Sequence, residues 1–212
     1  MKSIIDRMTE YGVIPVIKLD SPEDALPLAL SLKSGGLCCA EITFRTDAAA
    51  EAIELIAKAH PDFLLIAGTV LTQEQVKRAI SAGAQARVSP GLNPAVVAYC
   101  ISNGIPVIPG VCTPSEIEAG LSMGLEYLKF FPAEAAGGVK MIKALSAPYP
   151  NVRFMPTGGI NAENIGEYLA CKSVFACGGS WMVPQKLISG SRFDEIEDLA
   201  AEAVEAVKEA RK

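Results

Sequence analysis

Histidine is nearly missing from this chain: 212 residues contain one, His60. Catalytic zinc sites usually recruit two or three histidines, and Ser-His hydrolases need one beside the nucleophile, so both classes are disfavoured. His60 itself sits in Lys58-Ala59-His60-Pro61-Asp62, where the proline marks a helix-to-strand connection, and it reads as a surface residue. Long apolar runs are missing too. Half of the residues (50%) are hydrophobic, yet no run approaches the ~18 residues of a membrane span. High apolar content without a span points to strands buried on both faces, with some surface covered by other subunits.

Basic clusters are also lacking. Nineteen Lys and Arg against 24 Asp and Glu leave a formal charge of −5, which argues against nucleic acid as a partner. The six cysteines (Cys38, Cys39, Cys100, Cys112, Cys171, Cys177) show no CxxC spacing and lie mostly in apolar stretches. They read as small reduced hydrophobic residues, neither a disulfide frame nor a metal site. The opening Met1–Arg7 mixes acids and bases and has no signal-peptide core. A cytoplasmic protein without a membrane partner is the expectation.

What is present is a rhythm. Short apolar runs occur at Val13–Ile17, Leu37–Thr43, Phe63–Ala67, Gln85–Ser89, Ile105–Pro109, Leu125–Phe131, Val152–Pro156 and Ser173–Cys177, their starts 20 to 27 residues apart. Between them lie helix candidates at Pro22–Leu32, Asp47–Ala59, Thr72–Ala82, Pro94–Ser102, Pro114–Met123, Gly138–Leu145 and Asn161–Ala170. A last helix spans about Phe193–Ala210, and another precedes the first strand near Lys2–Tyr11. Asp20-Ser21-Pro22-Glu23, Thr72-Gln73, Thr113-Pro114-Ser115-Glu116 and Asn161-Ala162-Glu163 put capping side chains ahead of helix formers. Gly35, Gly83, Gly104 and Gly124 fall where helices should end. Eight βα units without a linker predict one domain over residues 1–212, a (β/α)8 TIM barrel with an extra N-terminal helix. A doubly wound open sheet fits the same alternation, because periodicity does not report closure.

In such barrels chemistry gathers where strands end. Leu125–Phe131 carries one lysine, Lys129, to the end of an apolar strand that stops at Pro132. Desolvation favours the neutral amine, a nucleophile able to form a Schiff base with a carbonyl; the alternative is a buried stem whose ammonium reaches water. Tyr127 should share its face, deeper, as packing. Glu41, Thr43 and Arg45 share one side of the second strand, together with Cys39. Glu41 is a candidate general base, or else half of an ion pair with Arg45 or Lys129. Arg45 offers a fork suited to a carboxylate. Thr69 either bonds a substrate oxygen or caps a turn, and Pro90 and Phe131 read as apolar walls. Two glycine pairs remain, in Thr157-Gly158-Gly159 and in Gly178-Gly179-Ser180, after the seventh and eighth strands. Loops at these positions commonly bind phosphate through backbone N–H groups.

Six segments in this order resemble the 2-keto-3-deoxy-6-phosphogluconate (KHG/KDPG) aldolase family: Glu41-Ile42-Thr43-Phe44-Arg45-Thr46, Gly68-Thr69-Val70, Val88-Ser89-Pro90-Gly91, Lys129-Phe130-Phe131-Pro132-Ala133-Glu134, Pro156-Thr157-Gly158-Gly159 and Gly178-Gly179-Ser180-Trp181. The resemblance implies a lyase of the Entner–Doudoroff pathway. In it Lys129 forms the Schiff base, Glu41 moves protons, Arg45 and Thr69 hold the pyruvate portion, and the glycine segments hold phosphate. It further implies a homotrimer with neither metal nor cofactor, acting on a phosphorylated 2-keto acid. Lys18, just after the first strand, stays outside the core set. Two rivals stand beside this reading: the same chemistry on 4-hydroxy-2-oxoglutarate, with Thr157 influencing the balance, and a barrel that binds a sugar phosphate without cleaving it.

Overall fold

A computed structural model describes residues 2–212. Helix α1 (Ile4–Tyr11) opens on a capping box, in which the Asp6 N–H donates to Ser3 Oγ and the Ser3 N–H to Asp6 Oδ2. There follow β1 (Val13–Ile17), a 3₁₀ turn (Pro22–Asp24), α2 (Ala25–Ser34), β2 (Cys39–Thr43), α3 (Ala49–Ala59), β3 (Leu64–Gly68), α4 (Gln73–Ser81), β4 (Ala86–Val88) and α5 (Pro94–Ser102). The second half runs β5 (Val107–Ile108), β6 (Gly110–Val111), α6 (Pro114–Ser122), β7 (Tyr127–Phe130), α7 (Gly138–Ser146), β8 (Arg153–Pro156), α8 (Ile165–Leu169), β9 (Cys177–Gly179), α9 (Gln185–Ser189) and α10 (Phe193–Ala210).

The strands form a curled parallel α/β sheet. Six of them lie in the order β5-β4-β3-β2-β1-β9, and three more in the order β6-β7-β8. Single parallel bridges join Phe154 of β8 to Val174, ahead of β9, and Thr157, just past β8, to Gly178 of β9. Strands β2 and β3 are buried along their whole length, which explains their near-continuous apolar sequences. The helices pack outside, and none among the described residues is long and apolar enough to cross a membrane.

Four expectations shift. The strand expected at Ile105–Pro109 is split, because Pro109 has no N–H to donate; Val107 and Ile108 pair with β4, and Gly110 and Val111 with β7. The last strand lies downstream of the expected Ser173–Cys177, so Gly178 and Gly179 are strand residues paired with Ile14 and Pro15, not a loop after it. The helix expected at Asn161–Ala170 begins only at Ile165. Its first residues make a turn instead, with Asn161 Oδ1 accepting the N–H groups of Glu163 and Asn164. Helix α9 was not expected, and Ser21 caps a 3₁₀ turn before α2 starts.

Candidate active site

Lys129 sits in the middle of β7, bridged between Gly110 on β6 and Met155 on β8. It is 5% exposed, and Glu41 on β2 is 0% exposed. Lys129 Nζ stands 3.3 Å from Glu41 Oε1. A buried pair of this kind is held by mutual attraction against a large desolvation cost, so removing one partner is expensive. Glu41 Oε2 makes no hydrogen bond although it too is buried. One oxygen therefore faces the lysine, and the other has accepting capacity to spare.

The room for Glu41 is made by β3. Thr43 pairs with Gly68, and a methyl on Gly68 would collide with Glu41 Oε1 and stand 2.5 Å from its Cγ and 2.7 Å from its Cδ. The next residue, Thr69, has φ of +55°, a left-handed conformation that β-branched residues rarely adopt. Thr43 steers Arg45: its hydroxyl donates to the Ile17 carbonyl (2.8 Å) and accepts from Arg45 Nε (3.1 Å). Arg45 lines a cavity of about 220 Å³.

That cavity gathers most of the sequence-derived residues. Arg45, Phe131, Thr157, Gly158, Gly159, Gly178, Gly179 and Ser180 line it, along with Val16 and Ile160, which the sequence did not single out. Arg45 is the one charged residue in the lining. Thr157 is 6% exposed and its hydroxyl is unpartnered. The indole of Trp181 fills the space that a side chain on Gly179 would take. Lys129, Glu41, Thr69 and Pro90 do not line the cavity. Lys129 is linked to it through Phe131, whose ring centroid lies 5.5 Å from Nζ, and the Pro90 carbonyl crosses beside Gly110, the bridge partner of Lys129.

Other candidates fall outside. Lys18 pairs with Asp20 at 2.6 Å, is half-buried, and does not line the cavity. Tyr127 is not deep: 36% exposed, it packs edge-on against Phe175, with ring centroids 5.3 Å apart. Gly68 and Thr43 were on the page as sequence, but a glycine ending a strand and a threonine within one carry no distinguishing signal. Among the described residues no cluster of three or more His, Cys, Asp or Glu is gathered in metal-cage fashion.

The sequence pattern of KDPG and KHG aldolases matches residues 4–199. The chain is 52% identical over 207 residues to the 2-dehydro-3-deoxy-phosphogluconate aldolase of Haemophilus influenzae, covering 98% of both chains. It is 50% identical over 207 residues to that of Treponema pallidum, covering 98% of this chain and 99% of the other. The solved KDPG aldolase of Legionella pneumophila, with pyruvate captured at low pH as a covalent carbinolamine intermediate, superposes with a TM-score of 0.91 at 43% identity, over 94% of this chain and 97% of that one. A buried lysine–carboxylate pair beside a cavity with a single arginine is thus carried by a chain that belongs, along nearly its whole length, to the KDPG and KHG aldolase family.

Proposed function

We propose that this lyase cleaves 2-dehydro-3-deoxy-6-phosphogluconate to pyruvate and glyceraldehyde 3-phosphate through a Schiff base on Lys129. The observation that carries the reading is the buried Lys129–Glu41 contact of 3.3 Å. Glu41 takes the ammonium proton across that contact, which frees the amine. Nζ attacks the C2 ketone to give a carbinolamine, whose hydroxyl takes the proton held by Glu41 and leaves as water, giving an iminium. Glu41, relieved of its proton, then takes the one on the C4 hydroxyl. The C3–C4 bond breaks, its electron pair flows into the iminium, and the aldehyde leaves. Protonation of the resulting enamine at C3, followed by hydrolysis, frees pyruvate and restores Lys129.

Arg45 holds the substrate carboxylate with its terminal nitrogens while Thr43 fixes its Nε. Thr69 and Pro90 border the pyruvate portion, and Phe131 walls it. The phosphate is held by Gly158, Gly159, Gly178, Gly179 and Ser180, with the Thr157 hydroxyl beside them. The reading takes the whole chain, 1–212, as one closed (β/α)8 barrel. Continuity of β5 with β6 through Pro109 and the Thr157–Gly178 bridge support closure. It takes the assembly as a homotrimer in the cytoplasm, which family membership supports; exposed Leu30, Leu71 and Ile101 offer apolar surface for such contacts.

Incubation with pyruvate and borohydride tests the chemistry. A reduced pyruvyl adduct should appear on Lys129 and be absent from Lys129→Met. A folded, unmodified wild-type lysine would leave only a barrel that binds without cleaving. Steady-state comparison of the phosphorylated acid with 4-hydroxy-2-oxoglutarate tests the substrate; equal kcat/KM would defeat the preference for phosphate.

A further inference from the structure

The turn after β7 is tied to the Thr157–Gly159 segment by more than one kind of contact. The Ala133 N–H donates to the Thr157 carbonyl (2.8 Å), and the Glu134 N–H to that of Gly158 (3.0 Å). The Glu134 side chain then covers Gly159: a Cβ at position 159 would stand 2.5 Å from Glu134 Cγ and 2.6 Å from its Cβ. Gly159 has φ of +83°, so both its backbone and its surroundings demand glycine. The far end of Glu134 is caught by Tyr168, whose phenol donates to Oε1. Tyr168 lies in α8 and is 1% exposed. One turn earlier, Asn164 Nδ2 donates to the Gly159 carbonyl (2.9 Å). Positions four apart share a helix face, so one face of this region holds Gly159 directly through Asn164 and holds its cover through Tyr168 and Glu134.

A buried phenol needs an acceptor, and that alone would account for the Tyr168–Glu134 bond. Two things argue for more. The acceptor is a carboxylate that otherwise stands at the surface, and it lies against one of the two backbone units assigned to an anion. A carboxylate released from the phenol would swing away and uncover Gly159. Burial and the Glu134 acceptor both push the phenol upward, so it remains a donor throughout the neutral range.

We propose that Tyr168 is a positioning residue for the Gly158–Gly159 segment, acting through Glu134, and that it helps set the preference for a phosphorylated 2-keto acid over an unphosphorylated one. This rests on the assignment of that segment to the phosphate. It separates Tyr168 from a merely structural residue, whose loss would lower turnover of every substrate alike.

The test is kcat and KM for Tyr168→Phe on 2-dehydro-3-deoxy-6-phosphogluconate and on 4-hydroxy-2-oxoglutarate. The expected result is a KM about tenfold higher for the phosphorylated acid, the worth of one charge-assisted hydrogen bond, with its kcat and both constants for the smaller acid within about twofold. Glu134→Ala, a change at an exposed position that keeps the Tyr168 side chain but takes away its acceptor, should reproduce the selective loss even if Tyr168→Phe folds poorly. Glu134→Gln, which keeps an acceptor for the phenol, should retain most of the affinity. Equal losses on both acids, or an unchanged KM in folded variants, would overturn the proposal. Inorganic phosphate separates it from the parent reading. No competitive inhibition of the wild type defeats both, whereas inhibition equal in wild type and Tyr168→Phe defeats only the role given to Tyr168.

Discussion

Replacing Gly68 by alanine adds one methyl group at the end of β3, and the three nearest atoms it would meet all belong to Glu41: Oε1, Cγ at 2.5 Å and Cδ at 2.7 Å. Gly68 is not among the glycines with positive φ, so the alanine backbone is at ease there and the tightest conflict is with the glutamate. Glu41 is fully buried and has no solvent to swing into. Relieving the overlap moves its carboxylate by about an ångström, and overpacking of this kind costs about 1–3 kcal/mol, or roughly 2–12 °C in Tm for a chain of this size. The same movement disturbs the 3.3 Å contact with Lys129. Misplacing a catalytic group by about 1 Å lowers the rate by about 10²-fold. Thermal unfolding and kcat/KM are measured for Gly68→Ala alone and in a Glu41→Ala background, where those three atoms are gone. In that background the methyl should cost less than about 0.5 kcal/mol, the ordinary additivity error. A Gly68→Ala protein with wild-type Tm and rate, or the same cost in both backgrounds, would refute the reasoning.

Thr69→Gly should act in the opposite sense on stability. A β-branched residue at φ +55° stores about 1–3 kcal/mol, and glycine gives back about 0.5–1 kcal/mol in unfolded-state entropy. Tm should rise while kcat/KM falls with the lost hydroxyl; a lower Tm would show that the strain is not there. Tyr168, held above its ordinary value of 10.0 first by burial and then by its bond to Glu134, is favoured as the neutral phenol in the folded state. That contribution is complete below pH 10.0 and is lost as pH climbs toward the raised value, so Tm of the wild type should fall more steeply above pH 10.0 than Tm of Tyr168→Phe. Equal slopes would contradict it. Prolonged chelation should leave aldol cleavage intact, and its loss would point to a metal-dependent aldolase.

The strand rhythm was legible because each unit buries one short apolar run and caps one helix with local chemistry. Thr72 and Thr113 cap the helices that follow them, as side-chain spacing alone foretells. The register of β9 was not, since Gly178 and Gly179 have no side chains to show an alternating pattern, and their pairing is decided by Ile14 and Pro15 on the far end of the chain. Proline at 109 was read as a strand end and proved to be the point where pairing changes partner. Lys129 and Glu41 were legible as charges on apolar strands, and their pairing stood beside a Glu41–Arg45 pair as one of two alternatives. Their contact joins residues 88 apart in sequence, and only the ordered sheet brings them together. The Tyr168–Glu134 bond, across 34 residues, left no trace: a tyrosine in a helix reads as core, and a glutamate in a turn reads as solvated.

The chain has one tryptophan, and its indole rests on a strand glycine in the cavity wall. Its emission is therefore a built-in, label-free reporter of whatever enters beside it. Titration of the resting protein with an oxo acid or with inorganic phosphate can be followed by fluorescence, separating occupancy from turnover without altering a single residue.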